Sequence, residues 1–250
     1  MRSLGPPPGV QHAVAVIAHR GASSLAPEGT LAAYRKAIEL GCDYVELDVR
    51  TTRDGALVCM HDRAVDRTTN GSGLVADLTA AEIRALDAGS HFSPEFAGER
   101  VPYFEEALEL CQGRIGVYLD LKEAPLPLLV QMLRRYGLVD HTVVYGGVRE
   151  FRALRALEPG LRIMPGLDDL LTVPGVITSV VQELGAEVLD SHLSEWDARA
   201  VAEAHAAGAV VWVDIMGATE TEEGMRRALA MGVDGIQTDK PQLLLKMLAS

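Results

Sequence analysis

Nine short apolar runs with strand character occur along this chain, and patterns of helical periodicity separate most of them. The strand-like runs are residues 14–18, 44–48, 57–60, 116–121, 142–145, 161–164, 187–190, 210–214 and 235–238. The helical patterns are residues 30–40, 79–86, 126–136, 150–157, 176–184, 195–207, 220–231 and 242–248. Such alternation is typical of a parallel sheet covered by helices. For a chain of 250 residues we predict an α/β fold, a (β/α)8 barrel of the TIM type, forming a single domain over residues 1–250.

The third strand-like run does not fit the regular alternation. Too few residues separate it from the second run for the crossover that a parallel pair requires, so we predict a hairpin. If Asp54 and Gly55 form a two-residue turn, Asp48 lies directly opposite His61. Turn-forming residues and a short helix opening with a capping box follow. We therefore expect a small insertion after the third strand, residues 62–101, forming a lobe beside the site.

Polar residues that can take part in catalysis or ligand binding lie within several of these strands or directly after them. His19 and Arg20 follow the first run, His61 ends the third, and Glu46 and Asp48 alternate within the second. Alternate positions of a strand share one face, and carboxylates buried in an apolar strand need a cation or a substrate to satisfy them. In such barrels the chemistry gathers at the carboxyl ends of the strands. We therefore predict a functional site there.

Three acidic residues on these strands favour a metal site. Glu46, Asp48 and Asp120 supply hard oxygen ligands, which suit Mg²⁺ or Ca²⁺ better than zinc. We predict one divalent cation. The alternative is that Asp120 merely pairs with Lys122, two positions further along the same strand face. The spacing is consistent with both interpretations.

The remaining residues at this edge can act on a phosphodiester. His19 and His61 can divide the work of a general acid and a general base. Arg20 has a planar fork that suits two phosphate oxygens, and Lys122 adds a point charge. Together with a cation, these side chains would neutralise the negative charge that builds on phosphorus in the transition state.

Composition restricts the partners. The formal net charge of −12 argues against a nucleic-acid surface. Any phosphate that the protein binds must therefore be held by individual basic side chains at the site. The first 14 residues hold three prolines and no apolar signal core, and no apolar run reaches the roughly 18 residues of a membrane helix. Cys42, Cys59 and Cys111 have wide spacings that indicate reduced core residues. We expect a soluble, cytoplasmic protein without stable membrane insertion.

Several spaced motifs carry a resemblance to a known family. They are HRG at 19–21, PEGT at 27–30, ELDV at 46–49, MHD at 60–62 followed by RTTNGSG, YLDLK at 118–122 and GVDGIQTDKP at 232–241. In this order and over nearly the whole chain, the set resembles the glycerophosphodiester phosphodiesterase family.

The resemblance implies roles for particular residues. The metal-binding acids of the family match Glu46, Asp48 and Asp120, although the family usually has Glu at the third position. Its acid–base pair matches His19 and His61, and its phosphate-binding positions match Arg20 and Lys122. Glu28 matches a motif Glu near the metal and substrate, followed here by Gly29 where Asn is usual. Asp214 lies where many relatives have an aromatic run that contacts the glycerol side of the substrate, so that wall of the pocket is expected to be negative.

The function expected on these grounds is metal-dependent hydrolysis of a glycerophosphodiester, such as glycerophosphocholine or glycerophosphoethanolamine, to glycerol 3-phosphate and an alcohol. The expected partner is therefore a small phosphodiester. One alternative keeps the same chemistry but acts on another diester, a lysophospholipid or a synthetic one. A second alternative is a non-catalytic barrel that binds a phosphate ligand.

Overall fold

The computed structural model describes residues 12–167 and 170–249. Nine strands occur in these residues: β1 Ala15–Ala18, β2 Tyr44–Thr51, β3 Leu57–Cys59, β4 Gly116–Leu121, β5 Thr142–Gly146, β6 Arg162–Pro165, β7 Val188–His192, β8 Val210–Asp214 and β9 Gly235–Thr238. The helices are α1 Leu31–Leu40, α2 Ala80–Arg84, α3 Phe104–Cys111, α4 Leu126–Arg135, α5 Val148–Leu157, α6 Val176–Ser179, α7 Ala198–Ala207, α8 Glu222–Met231 and α9 Pro241–Leu248.

Eight of the strands form a nearly closed parallel barrel. The strand order is β6-β5-β4-β2-β1-β9-β8-β7, and a parallel bridge from Gly166 to Asp190 joins β7 to the end of β6. Helices lie between the strands along the chain. The predicted TIM-type (β/α)8 barrel is therefore confirmed. The one predicted strand that lies outside the barrel is β3, which among the described strands pairs only with β2. Among the described residues no helix is both long and apolar enough to cross a bilayer.

The alternation of side chains along the strands orients the acidic residues inward. Tyr44 and Tyr118 belong to an apolar cluster inside the barrel, whereas Val45 and Leu119 belong to the larger cluster that includes residues of the surrounding helices. Residues two and four positions after an inward residue share its face. The carboxyl-terminal halves of β2 and β4 therefore direct their acidic side chains into the barrel near its upper end.

The hairpin of β2 and β3 is confirmed, but its predicted register is wrong by one residue. Val49 pairs with Cys59, and Met60 N donates to Asp48 O at 3.0 Å. The loop has three residues rather than two, because Thr52 N bonds Ala56 O and Gly55 adopts a left-handed φ of 83°. Asp48 thus lies opposite Met60, and the predicted pairing of Asp48 with His61 does not occur.

Residues 62–101 lie between β3 and α3 and contain α2. The predicted capping box of α2 is present, with Thr79 and Glu82 bonding each other's backbone N–H groups. These residues share a separate apolar cluster with the hairpin. Its buried members are Val58, Met60, Val65, Val75, Ile83, Ala88 and Val101. Burial of this cluster fixes the segment against the outer strand β3.

Gly21 allows the loop after β1 to approach α1 closely. Its φ is 87°, and a Cβ there would meet the Ala33 Cβ at 2.6 Å. We expect Gly21→Ala to lower the free energy of unfolding by about 2 kcal/mol or more, since left-handed strain and steric overlap add. Chemical denaturation measures the change. Gly41→Ala is the matched control, because Gly41 has a φ of 83° but no atom within 4 Å of its Cβ position. Equal losses in the two variants would contradict the steric argument.

Candidate active site

Three carboxylates converge at the upper end of β2 and β4. Glu46, Asp48 and Asp120 each offer an oxygen within 4.8 Å of the others, and all three residues are buried. Burial raises the pKa of Asp48 well above its usual value, and the charges of Glu46 and Asp120 raise it further. Burial also raises the pKa of Glu46, although the charge of His19 opposes it. Buried carboxylates this close repel each other, so the donor set fits a divalent cation with hard oxygen ligands.

Lys122 supplies part of the compensating charge. Its Nζ lies 2.5 Å from Asp120 Oδ2 and 3.4 Å from Asp48 Oδ1. Burial alone would lower the pKa of Lys122, but the charges of Asp120 and Asp48 outweigh it and raise the pKa. Asp120 therefore pairs with Lys122 and also belongs to the carboxylate cluster. The two interpretations of Asp120 in the sequence are compatible with each other.

His19 lies between the carboxylate cluster and β9. Its Nδ1 is 2.6 Å from Asp239 Oδ1, which also accepts from Ser23 Oγ at 2.7 Å. The other ring nitrogen, Nε2, lies 3.6 Å from Glu46 Oε2. Burial acts to lower the pKa of His19, but Glu46 and Asp239 raise it overall. The hydrogen bond with Asp239 orients the ring so that Nε2 points to the carboxylate cluster.

His61 follows β3 and lies near one of the three carboxylates, Asp48. Asp48, His61, Arg20 and Glu28 all line one cavity. His61 Nδ1 is 2.7 Å from Asp62 Oδ1. Burial lowers the pKa of His61, and the positive charges of Arg20 and Lys122 add to that effect despite the opposing hydrogen bond to Asp62. The lowered pKa favours the neutral imidazole, which can accept a proton.

Arg20 combines a strained backbone with an unused donor. Its φ of 54° is the one positive value for a non-glycine residue in the described part of the chain. Its backbone N donates to Glu46 Oε2 at 2.9 Å, and its O accepts from Gly29 N at 3.0 Å. Its Nη1 donates to Glu28 Oε1 at 2.8 Å, whereas its Nε is buried without a partner among the described residues. Such strain persists only where the surroundings impose it, and the unused N–H suits an anionic ligand.

Glycine suits the position of the family's usual Asn. Gly29 has a φ of 69°, a left-handed conformation that Gly and Asn adopt more readily than other residues. In this conformation Gly29 N donates to Arg20 O at 3.0 Å.

Asp214 lies at the end of a different strand from the carboxylate cluster. It ends β8, which β9 and β1 separate from β2. Trp212, two residues earlier, is part of the inner cluster, so Asp214 also faces inward. Its Oδ1 lies 3.8 Å from His192 Nε2, and the same nitrogen is 3.1 Å from Thr219 Oγ1. Polar side chains therefore surround the end of β8, and a role for Asp214 in substrate binding stays a prediction.

Three residues near the site were given no role from the sequence. Asp239 and Asp62 orient the two histidines, and Arg67 bonds both Asp62 and Glu28. Asp62 directly follows His61, and Asp239 directly follows the last barrel strand, so position was a usable signal for both. Arg67 begins a run of turn-forming residues, RTTNGSG, in a segment without periodicity, and nothing else in the sequence pointed to it.

Comparisons with known proteins find similar sequences over nearly the whole chain. The model of the Glycerophosphoryl diester phosphodiesterase family matches residues 19–243. A curated glycerophosphodiester phosphodiesterase of Caldanaerobacter subterraneus subsp. tengcongensis is 35% identical over 245 residues, which cover 93% of this chain and 96% of the relative.

Two solved structures have the same fold over nearly their full length. A glycerophosphodiester phosphodiesterase from Agrobacterium tumefaciens has a TM-score of 0.83 at 32% identity, covering 93% of this chain and 99% of that one. A phosphodiesterase from Oleispira antarctica, solved in complex with the product sn-glycerol-3-phosphate, has a TM-score of 0.84 at 28% identity, covering 94% and 97%.

Proposed function

Because this chain belongs to the glycerophosphoryl diester phosphodiesterase family, we propose that it hydrolyses glycerophosphodiesters such as glycerophosphocholine or glycerophosphoethanolamine. The products are glycerol 3-phosphate and the free alcohol. One observation carries the proposal: two imidazoles, each bonded to a carboxylate through Nδ1, border a buried carboxylate cluster and a guanidinium with an unused N–H.

Glu46, Asp48 and Asp120 are the proposed ligands of one divalent cation, Mg²⁺ or Ca²⁺. The bound cation supplies positive charge at the phosphate oxygens and so stabilises the transition state. The support is the mutual distance of the three carboxylates and their burial. Lys122, which contacts two of them, balances part of their charge.

His19 and His61 carry the protons in this proposal. One imidazole removes a proton from the attacking oxygen, and the other donates a proton to the departing alkoxide, so the alcohol leaves neutral. Asp239 and Asp62 fix which nitrogen of each ring is available. Arg20 and Lys122 bind the phosphate oxygens, and Glu28 holds the Arg20 guanidinium in position.

Asp214 matches a position that contacts the glycerol side of the substrate in many relatives, but because a carboxylate replaces the aromatic run here, we propose that it contacts the alcohol portion instead. An inward-facing carboxylate there favours a cationic alcohol such as choline. We expect Asp214→Asn to reduce the ratio of kcat/KM for glycerophosphocholine to kcat/KM for a glycerophosphodiester with an uncharged alcohol portion by about tenfold, which corresponds to about 1.4 kcal/mol. Steady-state kinetics on both substrates measures this ratio. Glu222→Gln, on the surface of α8, is the control, and an Asp214→Asn ratio equal to that of the control would remove Asp214 from substrate binding.

A different diester is the second candidate, because the polar wall at Asp214 departs from the family pattern. A substrate panel separates the possibilities. We expect phosphorus NMR to detect glycerol 3-phosphate from glycerophosphocholine in the presence of Mg²⁺ or Ca²⁺. Preference for a lysophospholipid with a long acyl chain would replace the proposed substrate. Tight diester binding by calorimetry without turnover of any diester would leave only the binding role.

We further propose that residues 62–101 form a lobe beside the site within a single domain of residues 1–250. The support is their own apolar cluster and the contribution of Thr68, Ala88 and Val101 to the cavity that His61 borders. A cytoplasmic location is proposed as well. It is supported by the three cysteines, which are buried and unpaired.

A further inference from the structure

Arg67 joins two carboxylates that belong to different parts of the pocket. Its Nε and Nη2 donate to the two oxygens of Asp62 at 2.7 and 3.1 Å. Its Nη1 and Nη2 donate to the two oxygens of Glu28 at 2.8 Å each. Four of the five N–H donors of the guanidinium are therefore used, in two bidentate contacts.

The two carboxylates extend this contact to the groups that do the chemistry. Asp62 Oδ1 is bonded to His61 Nδ1, and Glu28 Oε1 accepts from Arg20 Nη1. One continuous chain of hydrogen bonds thus runs from His61 through Arg67 to Arg20. It connects a proposed proton-transfer group with a proposed phosphate-binding group.

The charges along this chain fix the tautomer of His61. The Arg67 guanidinium holds the pKa of Asp62 well below its usual value, and hydrogen bonds and charges of Arg67 and Arg20 lower the pKa of Glu28 to about 2 against the opposing effect of burial. An ionised carboxylate only accepts hydrogen bonds, so His61 must donate through Nδ1–H. Nε2 is then the nitrogen with a free lone pair. Free imidazole in water favours the opposite tautomer, so the protein selects this one.

We propose that Arg67 is a positioning residue that orients His61 through Asp62 and Arg20 through Glu28. This inference rests on the proposed function, since it assigns Arg67 to the same site. The guanidinium comes from the segment between β3 and α3, so that segment contributes to the organisation of the pocket as well as to its lining. Arg67 itself touches neither the carboxylate cluster nor a reacting atom in this assignment.

Lysine cannot replace arginine at this position. Its ammonium has three donors at a single point and cannot form planar bidentate contacts with two carboxylates at once. We therefore expect Arg67→Lys and Arg67→Ala each to lower kcat/KM for a glycerophosphodiester by about 100-fold, mostly through kcat. The order of magnitude is that of losing correct acid–base geometry. Arg53→Ala is the matched control, because Arg53 also pairs with a carboxylate, Glu82, and its side chain is 56% exposed against 47% for Arg67.

Guanidinium rescue separates orientation from general stability. Arg67 is accessible enough for a free guanidinium ion to enter the gap that Arg67→Ala leaves. We expect guanidinium, at concentrations too low to unfold the protein, to raise the kcat/KM of Arg67→Ala at least tenfold. It should have no such effect on Arg53→Ala. Absence of any rescue, with the loss traced to a lower melting temperature, would overturn the proposal.

Nitrogen-15 NMR of the His61 ring tests the same proposal without substrate. At a pH well above the pKa of an ordinary histidine, the unmodified protein and Arg53→Ala should show protonation at Nδ1. In Arg67→Lys and Arg67→Ala the Nε2–H tautomer should gain population. An unchanged tautomer in both Arg67 variants would overturn the proposal even if turnover fell. If the unmodified protein hydrolyses no glycerophosphodiester, the proposed function fails, and the tautomer still decides the role of Arg67.

Discussion

His19→Ala should lower kcat for a glycerophosphodiester by about 10³-fold, and His61→Ala should have an effect of similar size. Each substitution removes a proton-transfer group, and general acid–base catalysis contributes roughly 10²–10⁴-fold per group. Alkoxides are poor leaving groups, so turnover cannot proceed at the normal rate without the proton. Single-turnover and steady-state measurements of alcohol release give kcat independently of binding.

The control for the histidine substitutions is His205→Ala. His205 pairs with Asp234 on the surface, and in the described part of the chain it is bonded to none of the proposed site residues. It tests whether loss of any histidine–aspartate pair affects turnover. A kcat for His19→Ala or His61→Ala within tenfold of the His205→Ala value would contradict the proposed acid–base pair.

Metal removal and Asp48→Asn should each prevent efficient turnover. Asp48→Asn should nevertheless increase the stability of the metal-free protein. Asp48 has a raised pKa because it is buried beside Glu46 and Asp120. Ionising it costs free energy in the metal-free protein, and one pKa unit corresponds to about 1.4 kcal/mol. An Asn of the same shape removes that cost, so we expect Asp48→Asn to increase the stability of the metal-free protein. The same change should reduce kcat/KM at least 10³-fold, because it removes a proposed cation ligand.

The pH dependence of that stability difference has a definite sign. A carboxyl with a raised pKa in the folded state binds protons more readily when folded, so it destabilises the fold increasingly as the pH rises above its unfolded pKa. The advantage of Asp48→Asn in the metal-free protein should therefore grow from acidic to neutral pH. Thermal denaturation after exhaustive chelation measures it, with the exposed Asp77→Asn as the control. Full turnover in excess chelator, or a less stable Asp48→Asn protein, would contradict this prediction.

Features encoded by local spacing could be predicted from the sequence. Glu46 and Asp48 share one strand face because side chains alternate, and their convergence with Asp120 follows from the pairing of β2 with β4. Thr30 and Gly41 bound α1 as their capping preferences predict. The number of barrel strands also followed from the alternation of patterns.

Features that depend on long-range contacts or on loop conformation could not be predicted. The register of the hairpin depends on whether Gly55 closes a two- or a three-residue loop, and the sequence allows both. The hydrogen bond between Arg67 and Glu28 joins residues 39 positions apart, and that between His19 and Asp239 joins residues 220 apart. No local pattern encodes such pairs. The helix Phe104–Cys111 was also missed, because it follows a segment without periodicity.

The central claim is that one divalent cation binds to Glu46, Asp48 and Asp120 where the phosphate of a diester is cleaved. Anomalous diffraction from crystals of the protein grown with Mn²⁺ and glycerol 3-phosphate tests it most directly. The account predicts one strong anomalous peak within about 2.0–2.6 Å of an oxygen from each of the three carboxylates, with the phosphate beside it and in reach of Arg20. A peak away from these carboxylates, or a phosphate bound on the other side of the barrel, would contradict it.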